Sequence, residues 1–170
     1  PPQIILAAKN HQSQWYKVVP KDYQISTSEN SWTNDELGLE WLQEMFEKHT
    51  ASCTVGRYHL LILDGHSSHA TAGFDKFAQK GILFLYIYHT FITSALTIDV
   101  SCFSPLKRLY GQKTEEMMQN GIHSIDKEDF LYIYPTVHQC ALSLSNIQSG
   151  FAATGLVPLS PERVLSKLHI

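Results

Sequence analysis

Apolar and polar residues alternate along this chain in blocks that predict a mixed α/β fold. Short apolar runs between polar residues predict strands at residues 4–8, 23–28, 58–63 and 82–88. Apolar residues spaced three and four apart predict helices from Thr33, Ala72 and Ser104, another over residues 127–134, and shorter helical segments after Thr136. Strands that alternate with helices in this way are typical of an α/β domain.

Local signals predict where these helices begin and end. Thr33 and Glu36 have the spacing of a capping box, and Asp35 suits the positive end of the helix dipole. Pro105 suits a first helical turn, and Gly121 suits a helix end. Pro135 is expected to end the helix that starts near Lys127.

Composition predicts one soluble, intracellular domain over residues 1–170. With 170 residues and 44% hydrophobic content, the chain is long enough to bury a core. The longest apolar run, residues 82–88, is too short to cross a membrane. The three cysteines form no CxxC pair, so we expect reduced, packed thiols. Residues 1–112 are expected to form the sheet core and residues 113–170 a helical C-terminal extension.

Two aspartates follow apolar runs and are the strongest candidates for chemistry. Asp64 closes the run Leu-Leu-Ile-Leu, and Asp99 follows after 34 intervening residues. A carboxylate at the end of a buried strand stands at the carboxyl edge of the sheet, where ligands of open α/β sheets bind. Two ionised carboxylates brought together repel each other unless a divalent cation lies between them. The pair therefore predicts a magnesium or manganese site.

The sequence around these aspartates resembles a known family. The segments that carry the resemblance are HLLILDGHSSH, IDVSCFSPLKRLYG, DFLYIYP and SNIQSGFAATGLVPLSPERVLSKL. They are similar to the catalytic region of pogo-like transposases of the mariner superfamily, especially its fungal branch. The resemblance implies a ribonuclease H-like mixed sheet flanked by helices, with three acidic metal ligands. Asp64 matches the second acid and Asp99 the third.

The resemblance also implies a reaction, a substrate and a location. Family members hydrolyse DNA phosphodiesters and then transfer the strand, using Mg²⁺ or Mn²⁺. Asp64 is expected to bridge two ions, and Asp99 to hold one of them. The resemblance implies a nuclear location and double-stranded DNA ends as the substrate.

The first acid of the family and the central strand that bears it have no counterpart in these 170 residues. Asp35 imitates the first-acid motif, but it falls where the family has a helix. Without the central strand, its neighbours pair directly, another chain fills the gap, or the chain is a fragment. Self-association through exposed strands is one expected result.

The segment before Asp99 also departs from the family. A Pro-, His- and Ser-rich loop is typical there, whereas residues 88–98 are β-branched and aromatic and contain no proline. This difference and the missing acid predict weak or absent cleavage.

A basic cluster on the helix after Asp99 is the candidate DNA contact. It consists of Lys107, Arg108 and Lys113. With thirteen basic against sixteen acidic residues, the net charge of −3 allows only a local grip on phosphates. The alternative is an ordinary solvated helix face.

His66 and His69 follow Asp64 closely, and we expect them to orient its turn by hydrogen bonds. A zinc site is the alternative, although no cysteine or acid at ligand spacing completes it. The run from Gly65 to His69 is similar to a serine-hydrolase nucleophile elbow, but His69 replaces its last glycine.

Two hypotheses about function follow. The first is a truncated DDE-type transposase or endonuclease domain. The second is a noncatalytic remnant that binds nucleic acid or protein through the same scaffold.

Overall fold

The computed structural model describes residues 1–64, 71–78, 81–87 and 99–166. At some ends of these segments, including Asp64 and Asp99, the structure describes the backbone but not the side chain. The described residues form two compact units. The first contains residues 1–16 and the described part of 20–91, and the second contains residues 17–19 and 99–166.

Two short strands open the first unit and pair in parallel. Strand β1 spans Gln3–Ala7 and strand β2 spans Gln24–Ser28, with Gln3 opposite Gln24 in the register. A helical turn that the apolar pattern does not predict, α1 (Trp15–Val18), lies between them in sequence. Trp15 is almost fully buried, so an apolar anchor accompanies this turn.

The strand that ends at Asp64 belongs to a second parallel pair in the same unit. Strand β3 spans His59–Asp64, strand β4 spans Ile82–Ile87, and helix α4 (Ala72–Ala78) connects them in sequence. Among the described residues, this pair shares no backbone ladder with β1 and β2. The direct pairing of strands that was one of the three expected outcomes is therefore not found in the described part of the chain.

One continuous helical stretch precedes β3 and changes its winding twice. It begins as α2 (Asp35–Glu40), becomes a π-helix at Trp41–Glu47, and continues as α3 (Lys48–Thr50). A 3₁₀ turn, Ala51–Cys53, follows. The predicted start of this stretch is wrong by one residue, because Asn34 caps it: its side-chain oxygen accepts a hydrogen bond from the Leu37 amide at 2.9 Å.

The core of the first unit lies on one face of β3 and β4. Its buried members are Leu42, Leu61, Leu63, Phe74 and Ile82, and the half-buried aromatics around them are Trp41, Phe46, Phe77, Phe84 and Tyr86. On the opposite face Leu60, Leu83 and Leu85 are 56%, 52% and 38% exposed, whereas Ile62 is half-buried. Parallel strands are usually covered on both faces.

Helices make up the second unit. A π-helical segment, Asp99–Phe103, leads into α5 (Ser104–Gln119), which is followed by α6 (Lys127–Ala141), α7 (Leu144–Ala153) and α8 (Glu162–Leu165). Helices α5 and α6 pack together, with the Tyr110 and Phe130 rings edge to face at 5.8 Å. Pro105 lies in the first turn of α5 and Gly121 follows its end, as predicted, and Gly121 has a φ of 91°.

Helix α6 does not end at Pro135. It continues to Ala141 with the proline inside, so the predicted end is wrong. Four residues of this helix are buried, namely Leu131, Ile133, Val137 and Ala141. The buried positions continue past the proline, and this packing offsets the hydrogen bond that proline cannot make.

These observations confirm a mixed α/β fold with short parallel strand pairs flanked by helices, compatible with a ribonuclease H-like domain that lacks a full sheet. Within the described ranges, no helix has both the length and the apolar character needed to span a bilayer. Cys102 is buried, but Cys53 and Cys140 are exposed, so the expectation of packed thiols is wrong for those two. The single-domain organisation with a subdivision near residue 112 stays a prediction.

Candidate active site

Strand β3 brings Asp64 to the end of a parallel pair. Asp64 is the last residue of β3 and lies opposite Ile87, the last residue of β4, in the register. The carboxyl ends of both strands therefore meet at one edge, which is where ligands bind in open α/β sheets. The predicted position of Asp64 at a strand end is confirmed.

The strand that carries Asp64 is firmly held by its core face. Leu61 and Leu63 are 7% and 6% exposed, and Phe74 of α4 is fully buried in the same cluster. Burial of a large apolar side chain contributes about 1.5–3 kcal/mol. The backbone that leads to Asp64 is thus anchored up to the preceding residue.

Asp99 occupies a different structural setting. It begins the π-helical segment that continues into α5, in the second unit. Its side chain and residues 88–98 lie outside the described residues, as do His66 and His69. The approach of Asp99 to Asp64 and the orienting role of the two histidines stay predictions.

Asp35 lies in the first turn of α2, next to its N-cap Asn34. A carboxylate there stabilises the helix through its dipole. The interpretation of Asp35 as a first-turn charge is confirmed by this position.

The basic cluster lies along α5 and is solvent-exposed. Lys107 and Arg108 are exposed in the first half of the helix. Lys113 donates a hydrogen bond to Glu116 at 2.7 Å, and this bond is the main reason that the pKa of Lys113 is raised above its ordinary value. Glu116 therefore offsets the charge of Lys113, which leaves Lys107 and Arg108 as the stronger candidates for phosphate contact.

Comparison with known families decides the broader assignment. The family described as DDE superfamily endonuclease matches residues 1–151, a range that includes both Asp64 and Asp99. The chain belongs to the DDE superfamily endonucleases.

Two curated relatives of this DDE endonuclease chain come from fungi. The chain is 38% identical over 171 residues to the MFS-type transporter clz9 of Cochliobolus lunatus, which covers 99% of the chain and 18% of that protein. It is 41% identical over 61 residues to Chaetoglobosin A biosynthesis cluster protein C of Chaetomium globosum, which covers 36% of the chain and 15% of that protein. The matched segments thus span less than a fifth of the length of each relative. No solved structure matches it.

Endonucleases of the DDE superfamily generally use divalent metal ions and bind DNA. The carboxylate oxygens of aspartates are hard donors that suit Mg²⁺ and Mn²⁺, so the residue types at 64 and 99 fit such ions. Among the side chains that the structure describes, no group of three or more His, Cys, Asp and Glu could hold a metal. The Asp64 and Asp99 side chains are not among these, and metal binding by them stays a prediction.

A polar cluster that the sequence of this DDE endonuclease chain does not predict lies at the other end of β3. His59 lies 3.0 Å from Glu47, and two threonine hydroxyls face its second ring nitrogen. The residues come from the π-helix, α3, the turn after it and β3. No periodic pattern connects these elements, so only the folded structure brings the cluster together.

Proposed function

We propose that this chain is part of the catalytic region of a pogo-like DDE transposase and contributes Asp64 and Asp99 as metal ligands. One observation supports the proposal above others: Asp64 ends a buried parallel strand within the range that matches the DDE endonucleases. The position of Asp64 at a strand end and its place inside the matched range both support the proposal.

The chemistry follows from the two aspartates. Asp64 at the end of β3 and Asp99 at the start of the segment before α5 would hold the divalent ions. Such ions would supply activation of water or a 3′-hydroxyl and stabilisation of the leaving oxygen of a phosphodiester. His66 and His69 orient the Asp64 turn.

We expect the 170 residues alone to cleave DNA weakly or not at all. They supply two of the three carboxylates that the resemblance implies. Magnesium is held by hard anionic oxygens, and the loss of one carboxylate weakens its binding. The proposed role of this chain is therefore to supply part of a site.

Contact with DNA is assigned to α5. Lys107 and Arg108 present exposed cations a short distance along the helix from Asp99. Phosphate contacts of this kind position the duplex without reading its sequence. A nuclear location follows from this proposed role.

Isothermal titration calorimetry with Mn²⁺ tests the shared site. The wild-type chain should bind the ion, and Asp64→Asn or Asp99→Asn should each remove most of the binding heat. Asp35→Asn is the matched control, because it removes an exposed carboxylate from a helix start and should leave the heat unchanged.

Three results would count against the shared metal site: no heat in the wild type, heat that survives both active-site substitutions, or equal loss in the control. The first would favour a noncatalytic module that binds DNA or protein. The hypothesis of a noncatalytic module is supported by the presence of two matched acids where the resemblance implies three. Circular dichroism of each variant separates lost ligands from lost folding.

A further inference from the structure

A cavity of about 480 Å³ lies in the first unit, beside the start of β2. Its lining comes from α1, from the turn before β2, from β2 itself and from the helical stretch that precedes β3. Its volume is within the range of pockets that bind small molecules. Among the described residues that line it, none belongs to β3 or β4, so the cavity is separate from the candidate active site.

The buried part of the lining is apolar. Ile25 of β2 and Met45 of the π-helix both line the cavity, and each is only 5% exposed. The half-buried Tyr23 adds an aromatic side chain at the end of the turn before β2. A lining of this kind suits a ligand that has a flat ring, because the ring loses contact with water when it binds.

Tyr16 supplies a second aromatic ring, which is exposed and restrained. The side chain lines the cavity and is 50% exposed. His11 is hydrogen-bonded through Nδ1 to the Tyr16 hydroxyl, and the two rings are stacked with their centroids 6.0 Å apart. The adjacent Trp15 is almost fully buried and anchors the same helical turn. A ring that is already restrained loses little conformational freedom when a ligand stacks on it.

The charged side chains around the cavity differ in their partners. On the helical side, Lys48 lies 4.0 Å from Glu44, so these two charges offset each other. The turn before β2 carries Lys21 and Asp22, which are exposed where they line the cavity. Among the described residues, no ion pair involves Lys21 or Asp22. Lys21 is therefore available to an anionic group of a ligand, and Asp22 to a hydrogen-bond donor.

A nucleotide carries the three groups that this lining can bind. Its base is a flat ring that stacks on aromatic side chains, its phosphate is an anion, and the edge of the base bears N–H donors. An aromatic amino acid has a ring and both charges as well, but DDE superfamily endonucleases generally bind DNA, which favours the nucleotide. A paired base inside a duplex is stacked on its neighbours and hydrogen-bonded at its edge, so the nucleotide must be unpaired.

We propose that this cavity binds one unpaired nucleotide, with the base against Tyr16 and the phosphate at Lys21. Asp22 accepts a hydrogen bond from the base. The choice of ligand rests on the proposed function in DNA cleavage, whereas the cavity itself needs no metal ion at Asp64 or Asp99. A free nucleotide and the unpaired end of a DNA strand present the same groups to the lining.

Isothermal titration calorimetry with dAMP tests the stacking contact. EDTA is present throughout, so a metal site contributes nothing to the heat. The wild-type chain should bind dAMP, and Tyr16→Ala should weaken the binding about tenfold, the size expected for the loss of one base stack on an aromatic ring. Tyr16→Phe keeps the ring and should retain most of the affinity. Tyr132→Ala removes an exposed tyrosine of α6 and should change nothing.

A comparison of dAMP with deoxyadenosine tests the phosphate contact. The wild-type chain should bind dAMP more tightly, because deoxyadenosine has no group for Lys21. Lys21→Gln should bind the two ligands equally. Lys76→Gln, in which an exposed lysine of α4 is replaced, is the matched control and should keep the preference for dAMP.

DNA with an overhang distinguishes the two sources of the nucleotide. Lys107→Ala with Arg108→Ala removes the proposed duplex contact on α5, and fluorescence anisotropy of this variant then reports the cavity. Tighter binding of a duplex with a short 3′ overhang than of the same duplex with blunt ends would identify the DNA end as the ligand. Binding of dAMP without this preference would identify a free nucleotide.

Three results would overturn the nucleotide site. They are no binding of dAMP or of the overhang by the wild type, affinity that is unchanged in both Tyr16→Ala and Lys21→Gln, and tighter binding of phenylalanine than of dAMP. Circular dichroism of each variant separates lost contacts from lost folding. Failure here leaves the Mn²⁺ titration of Asp64 and Asp99 unaffected, and failure of that titration leaves the binding of dAMP in EDTA unaffected.

Discussion

At the scale of single residues, side-chain caps stand at the start of helices α2, α6 and α7. Asp126 caps α6: its carboxylate accepts hydrogen bonds from the Glu128 and Asp129 amides at 2.8 and 2.9 Å. The Asp129 carboxylate accepts one in return from the Asp126 amide at 3.1 Å, which completes a capping box. Two carboxylates thus satisfy three backbone donors that the helix itself leaves open.

Replacement of this cap gives a residue-scale prediction. Asp126→Ala should lower the free energy of unfolding by about 1 kcal/mol, because the donors at the start of α6 lose their acceptor. Urea denaturation followed by circular dichroism measures the change. Asp126→Asn keeps a side-chain oxygen at the N-cap and should cost much less, and equal loss in both variants would contradict the capping role.

Individual residues also show which structural features can be predicted from the sequence alone. Asp64 at a strand end is predictable because an apolar run followed by Asp and Gly has few other structural solutions. The choice of Asn34 over Thr33 as the helix cap cannot be predicted, because both residue types cap helices and the choice depends on where the chain turns. The cluster around His59 cannot be predicted from sequence either, since its residues come from the π-helix, α3, the turn after it and β3.

At the scale of elements, packing overrides local propensity in two helices. The stretch Trp41–Glu47 takes π-helical winding although its sequence has ordinary helical spacing, and it places Leu42 and Met45 in the interior. Helix α6 runs through Pro135 because Leu131 and Val137, on either side of it, are both buried. Sequence rules predict a break at proline, and tertiary burial outweighs that rule here.

Helix α6 provides the element-scale prediction. Pro135→Ala should raise the free energy of unfolding by about 1 kcal/mol or more, because it restores a backbone donor inside the helix and removes a ring that crowds the preceding turn. Chemical denaturation of the wild type and the variant measures this. A loss of stability would show that packing of the half-buried proline ring outweighs the missing hydrogen bond. Thr136→Ala, the exposed neighbour, is the control and should change stability little.

At the scale of the whole molecule, charge limits how the chain can hold DNA. The net charge of −3 gives no general attraction to a polyanion. The proposed DNA contact therefore depends on a local group of cations, and Lys113 is offset by Glu116. Two cations on α5, Lys107 and Arg108, are left for that proposed contact.

Salt dependence of DNA binding tests this limit. If Lys107 and Arg108 alone neutralise phosphates, the logarithm of the association constant should fall with the logarithm of salt concentration with a slope of about −2. Lys107→Ala with Arg108→Ala should abolish the binding seen by fluorescence anisotropy. Lys76→Ala, an exposed lysine of α4, is the control. A slope well beyond −2, or binding that survives the double substitution, would point to another surface.

The leucines exposed on one face of β3 and β4 have a consequence for the production of this protein. Three leucines stand open to water beside a strand whose outer backbone edge has no ladder partner among the described residues. Such a surface promotes aggregation during synthesis, when the local concentration of newly made chains is high. We expect recombinant material to favour inclusion bodies, and a fused solubilising carrier to improve the yield.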